Sequence, residues 1–188
     1  MNATPSLTDT IMNMVSQSIQ VITKPSVATF EQYESKGTLR EALIYVGIFA
    51  VITGLFGLGS GVGGFLRGII ITLVGFLVFT YLIYYVGKSQ GGTGTFDQVT
   101  YTFSLFWAPM AVIFGILAFL LVITLIGIFL LPLLGIVAIV VNIYFAYLAV
   151  QSSMNLKESG KIWITLIAAG VGAFLVNLIV GGILGGRG

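Results

Sequence analysis

The chain has 188 residues, 57% of them hydrophobic and 7% charged, with a mean hydropathy of +1.10. Ordinary soluble domains carry about 25% charged residues, so a water-soluble globule is excluded, and a net charge of +2 is too small to argue for nucleic acid. Without cysteine there are no disulfides or thiolate nucleophiles, and without histidine the usual neutral-pH base and metal ligand are missing.

The first residues do not read as a secretory signal: Asp9 comes early and no basic n-region precedes an apolar core. From Asp9 to Ile22 the spacing predicts an amphipathic helix. Ile11, Met14, Val15, Ile19 and Ile22 share one face, with Asn13, Ser16, Gln17 and Gln20 opposite. Lys24-Pro25 ends it. Its polar face lacks the lysines and arginines of surface-bound helices, so packing on the bundle or on another protein is equally open. Phe30, Tyr33, Glu31, Glu34 and Lys36 form a short connector, with the two glutamates reading as a solvated face.

Five membrane crossings follow, so residues 1–37 read as an N-terminal arm and 38–188 as an all-α, compact five-helix transmembrane bundle. The first span runs from about 38 to 58 and opens on a capping box, Thr38-Leu39-Arg40-Glu41. The glycine-rich turn Gly57–Gly64 leads to the second span, about 65–86, which stops at Gly87-Lys88-Ser89-Gln90-Gly91-Gly92. Between Asp97 and Lys157 the chain carries no charge for about 60 residues, enough for two crossings of about 20 residues each. A hairpin near Leu125–Pro132 divides this stretch into spans of about 101–126 and 131–153. Gly127 suits a helix end and Pro132 the first turn of the next helix. A single helix of about 50 residues, at about 1.5 Å each, would overshoot the hydrocarbon core more than twofold. The fifth span, about 162–184, follows Lys157-Glu158-Ser159-Gly160-Lys161.

With five spans, Lys24, Lys36, Arg40, Lys88, Lys157 and Lys161 fall on one side, and Arg67 and Arg187 on the other. The positive-inside rule then places the N-terminus in the cytoplasm and the C-terminus outside. Trp163 beside Lys161, and Tyr81, Tyr84 and Tyr85 near Lys88, fit an interfacial aromatic belt, with helix packing the alternative for the tyrosines.

Each span carries a line of small residues spaced by three or four, beginning Gly47-Ala50-Gly54-Gly57 in the first and Gly64-Gly68-Thr72-Gly75 in the second. The third has Ser104, Ala108, Ala111, Gly115 and Ala118; the fourth has Gly135, Ala138, Asn142, Ala146 and Ala149. The fifth has Gly170, Ala173, Asn177, Gly181 and Gly185. Such lines let neighbouring backbones approach, so a bundle without a wide aqueous pore is expected. Asn142 and Asn177 are the most polar side chains inside the spans. An uncompensated amide in hydrocarbon is costly. Each should therefore form an interhelical hydrogen bond or, alternatively, serve a polar site for a substrate or lipid group.

Chemistry is otherwise sparse. No acid or base lies deep in a span, where transporters and pumps generally keep one. Gly91-Gly92-Thr93-Gly94 lacks the lysine of a Walker A loop and reads as a flexible interhelical turn. No catalytic residue, cofactor or metal ligand is expected.

Several stretches together resemble the Yip-domain family, the Ypt/Rab-interacting membrane proteins and their prokaryotic relatives. Gly87-Lys88-Ser89-Gln90-Gly91-Gly92-Thr93-Gly94-Thr95-Phe96-Asp97-Gln98, followed by Trp107-Ala108-Pro109, is similar to the family's glycine-rich turn after the second span and proline within the third. Lys24-Pro25 with Phe30, and Tyr147–Gln151 leading to Asn155-Leu156-Lys157, support it over about 22–184. The resemblance implies five helices, a cytoplasmic N-terminus and a non-enzymatic role, often in oligomers. It implies a short prokaryotic form, for which a small GTPase is not an expected partner because the family's long N-terminal region is missing.

The combined reading is a non-enzymatic scaffold or adaptor in the cytoplasmic membrane, joined to a second copy or another membrane protein. Ile19, Gly91, Gly92, Thr95, Phe96 and Gln98 are the candidate partner-facing residues. The alternatives are a transporter or lipid-handling protein for a neutral or amphipathic molecule, using Asn142 and Asn177, and curvature shaping through the N-terminal helix.

Overall fold

A computed structural model describes residues 6–124 and 126–185, the side chains of 126, 184 and 185 excepted. Leu125 and Arg187, each used in the sequence reading, fall outside that part. The described residues are helical with no strand. Two short helices, α1 (Leu7–Thr23) and α2 (Val27–Glu31), precede α3 (Leu39–Leu55), α4 (Gly61–Ser89), α5 (Phe96–Ile123), α6 (Leu131–Ser153) and α7 (Ser159–Gly185).

Four helical stretches are long and apolar enough to cross a membrane: Leu39–Ser89, Phe96–Ile123, Gly127–Ser153 and Ser159–Ile183. The first holds both α3 and α4, joined by a 3-10 turn over Phe56–Ser60 and by Gly61 at φ +76°. At that turn the chain doubles back. A Cβ on Gly57 would lie 2.6 Å from the Gly64 carbonyl oxygen, and one on Gly68 would lie 3.3 Å from Gly54 Cα. Gly54 and Gly57 of α3 and its turn therefore face Gly64 and Gly68 of α4, as their spacing predicts, whereas a Cβ on Gly47 would meet nothing within 4 Å and Gly75 faces Asn177 of α7. A second 3-10 turn, Ile126–Leu130, brings the chain to α6, with Pro132 in the first turn.

Capping explains where several helices begin. Thr38 and Glu41 form the predicted box, and Ser6–Asp9 and Thr95–Gln98 form two more. Each satisfies backbone N–H groups that have no intrahelical partner. Pro109 lies inside α5, where it removes one backbone hydrogen bond.

The first half of α5 is the core. Val99 to Phe106, Ala108 and Met110 are all buried. α3 packs along one flank and α4 along another, with α1, α2 and α6 completing the enclosure. Phe106 stacks on Phe145 at 5.5 Å and meets Phe103 at 5.3 Å and the buried Phe30 of α2 at 6.0 Å. Toward its far end α5 opens, and Ile116, Leu117, Phe119 and Leu120 are exposed. That exposure suits contact with lipid chains. α7 packs mainly along α4, where Arg67 Nη2 donates to the Gly181 carbonyl at 3.2 Å.

Two expectations need correction here. α1 does form, but it is rolled toward its polar side. Met14, Ser18 and Val21 are its buried residues, while Ile19 is 57% exposed. Three tyrosines cause the roll. Tyr45 shares a 2.9 Å hydrogen bond with Ser18, Tyr101 donates to Gln17 at 2.8 Å and Tyr33 donates to Gln20 at 2.5 Å. Satisfied polar groups can be buried at little cost. In α6 the small-residue line also breaks near the start of the helix, since Gly135 is exposed and a Cβ there would meet nothing within 4 Å.

Phe106→Ala should lower stability by about 3 kcal/mol, the low end for such truncations because lipid supplies no hydrophobic drive. Phe129→Ala, at a site 85% exposed, should be neutral. Thermal unfolding of both variants in lipid nanodiscs checks the contrast.

Candidate functional site

The glycine-rich loop between α4 and α5 lies at the end of the bundle where α3 begins, α6 ends and α7 starts. α4 stops in a Schellman motif: Gly91 N–H donates to Lys88 O at 3.0 Å and Gly92 N–H to Gly87 O at 2.8 Å. Gly91 has φ +90°, a left-handed conformation that glycine adopts without penalty.

The loop is packed rather than free. Thr93 N–H donates to Met154 O at 3.0 Å, and Asn155 Nδ2 donates to Thr93 Oγ1 at 3.1 Å. Met154 is fully buried against Gly87 and Gly92. A Cβ on Gly92 would lie 2.7 Å from Met154 Cε, and one on Gly94 would overlap the Ser153 carbonyl. The glycines are there so that the loop can lie on the end of α6.

Neighbouring contacts extend this plate. Asp97 Oδ1 accepts from Leu39 N–H at 2.9 Å, tying the start of α5 to the start of α3. Ser152 donates to the Glu34 carboxylate, so Glu34 is anchored to α6 rather than simply solvated. Lys88 Nζ donates to Thr93 O at 3.1 Å and sits 5.7 Å from the Tyr84 ring centre.

The candidate residues divide accordingly. Ile19, Gly91 and Thr95 are exposed, Phe96 and Gln98 are half-buried, and Gly92 is buried. Phe96 lies 6.1 Å from the Tyr81 ring and 5.7 Å from Tyr84. Gln98 closes the capping box on Thr95, its Oε1 accepting from Thr95 N–H at 2.8 Å. Sequence reading overlooked Met154 and named Asp97 without giving it a role. Both carry a signal, an apolar residue in a polar turn and an acid opening a helix, but neither signal names its distant partner.

Asn142 and Asn177 lie well inside α6 and α7. Among the described residues, neither makes the interhelical hydrogen bond expected of it. Asn142 Nδ2 donates to Ala138 O at 2.8 Å and Asn177 Nδ2 to Ala173 O at 2.9 Å, each within its own helix. The carbonyl one turn back is always in reach, so this bond needs no alignment between helices. Asn177 presses on Gly75 of α4, and its Oδ1 is buried without a donor among the described residues. A cavity of about 340 Å³ lies between α4, α5, α6 and α7, lined by Phe79, Phe106, Trp107, Asn142, Trp163 and Gly170 among others. A second, of about 420 Å³, shares Phe79 and Trp107 and reaches Thr72 and Asn177.

Gly94→Ala should push the loop off α6, with the 1–3 kcal/mol loss typical of overpacking (about 2 kcal/mol expected). Proteolysis at Lys88 should become faster. Gly160→Ala, where a Cβ meets nothing within 4 Å, should leave both readouts unchanged.

Comparison with curated proteins and with solved structures found no match. The family model of the Yip1 domain matches residues 19–180, from the middle of α1 almost to the end of α7. The match takes in the packed glycine loop, the buried half of α5 and the end of α6 on which the loop rests. This multi-pass membrane protein therefore belongs to the Yip1 domain family.

Proposed function

We propose that the protein is a non-enzymatic scaffold or adaptor of the cytoplasmic membrane, working through the plate formed by the arm and the α4–α5 loop. The observation that carries this reading is the joining of five chain segments at one end. Glu34 bonds Ser152, Leu39 bonds Asp97 and Thr93 bonds Met154, all around the enclosed half of α5. A rigid, polar platform is what a binding surface needs, because little order is lost when a partner docks. In support, Ile19, Gly91 and Thr95 are exposed, and Phe96 and Gln98 are half-buried.

Five crossings fit this arrangement. α3 alone has 17 residues, about 26 Å, slightly short of the hydrocarbon core. Its 3-10 extension and the reversal at Gly57–Gly64 supply the remaining depth and the return path. On that count Lys24, Lys36, Arg40, Lys88, Lys157 and Lys161 share the platform side, which the positive-inside rule assigns to the cytoplasm. The proposed partner is a second copy or another membrane protein. Curvature shaping by α1 has less support, since its hydroxyl and amide bonds hold it on the bundle.

A second reading, handling of a neutral or amphipathic molecule, is favoured by one feature: the aromatic-lined cavity at Asn142. Such pockets, largely apolar with a few polar groups, are the usual form of small-molecule sites.

Accessibility labelling of tags at the two termini should find them on opposite faces of the membrane; both on one face would end the five-span count. Cross-linking in native membranes tests the scaffold. Ile19→Gln combined with Phe96→Ala should reduce the cross-linked species by roughly 10-fold, about 1.4 kcal/mol of binding. Stability should change little, and unchanged cross-linking would count against the platform.

A further inference from the structure

The cavity between α6 and α7 carries more than a volume. Trp163 stands near the start of α7 and Gly170 about 10 Å further along the helix. The cavity thus runs inward from the basic end toward mid-membrane. It opens sideways, because Ile143, Trp163 and Ile167 in its wall are also exposed on the surface that faces lipid. Phe79, Phe106 and Trp107 close its back.

Two polar groups interrupt that apolar lining. Asn142 spends its Nδ2 on Ala138 O, and no described residue donates to its Oδ1. Trp107 also lines the cavity, and its indole N–H is not among the buried groups cut off from open space. A chain of plain hydrocarbon would leave both unsatisfied, and polar groups out of water are rarely left so. No charged residue lines the cavity, so an ionised head at this depth would stay uncompensated. The volume lies near the lower end for ligand pockets, which favours one chain over two.

Building on the second reading above, we infer that this cavity binds a neutral single-chain amphiphile bearing a hydroxyl group, taken laterally from the bilayer. The hydroxyl donates to Asn142 Oδ1 and accepts from the Trp107 indole N–H, while the chain lies against Phe79, Phe106 and Ile167. Gly170 leaves room for it, since a Cβ there meets nothing within 4 Å.

The test uses the full-length protein in phosphatidylcholine nanodiscs and a long-chain primary alcohol carrying a diazirine, compared with its methyl ether and the matching fatty acid. The alcohol should label peptides containing Ile143 or Ile167, and the ether, which cannot donate, should label them on the order of 3–10-fold less. Gly170→Leu should fill the space and abolish labelling by both. In Asn142→Leu the alcohol should lose its advantage over the ether. Equal labelling of the unaltered protein by alcohol and ether, or by alcohol and acid, would overturn the hydroxyl class while leaving a cavity that binds chains. Labelling that persists in Gly170→Leu would overturn both this inference and the reading it rests on.

Discussion

Enclosure of the first half of α5 is the constraint on which the rest of the structure depends. A helix normally hides one stripe, but here Val99 to Phe106 are covered on every side. Such a segment keeps most of its polar groups satisfied from within, although Thr102 Oγ1 is buried without a partner among the described residues. Thr100 donates to Phe96 and Asp97 carbonyls, and Ser104 donates to Tyr101 O. Thr95 and Gln98 cap the exposed start. Because α5 is closed in, the elements around it have little freedom. The α4–α5 loop must fold onto α6, α3 must start beside Asp97, and α2 must deliver Phe30 to Phe106.

The two ends of the molecule are held together by different physics. At the basic end, side chains pack and hydrogen-bond as in a soluble core, with tyrosine hydroxyls reaching Gln17, Ser18 and Gln20. Toward the other end, the outer surfaces of α5, α6 and α7 are apolar and exposed, and contact relies on close backbone approach at Gly54, Gly57, Gly64 and Gly68. In lipid, apolar burial between helices gains little over contact with chains, so small residues carry the packing. α7 lies closely on α4 and less so on α6, and the cavity at Asn142 occupies the looser side.

Much of the architecture was legible in the residues. The helix starts at Thr38 and Pro132, the reversal near Gly57–Gly64 and the stop at Gly87–Gly92 all follow from local backbone preferences that neighbours do not override. The candidate site was legible only in outline. Gly91-Gly92-Thr93-Gly94 stood out by composition, but a glycine cluster looks the same whether it is free or packed. Only the approach of Ser153 and Met154 distinguishes the two. The orientation of α1 was read wrongly for a similar reason. Periodicity ranks faces by hydrophobicity, and it cannot register a tyrosine hydroxyl arriving from 27 or 84 residues away.

By itself the sequence determined the solvent and the building blocks. A chain with 7% charge and about 60 uncharged residues in succession has to satisfy its backbone internally, and helices do that from local hydrogen bonds alone. Tertiary structure decided which polar groups meet. It set Glu34 on Ser152 and Asp97 on Leu39, placed Asn142 in the wall of a cavity, and turned Gly94 into a seat for α6. Those pairings depend on how whole helices are placed and rotated against one another. That placement is a sum of many weak contacts, and no short stretch of residues encodes it.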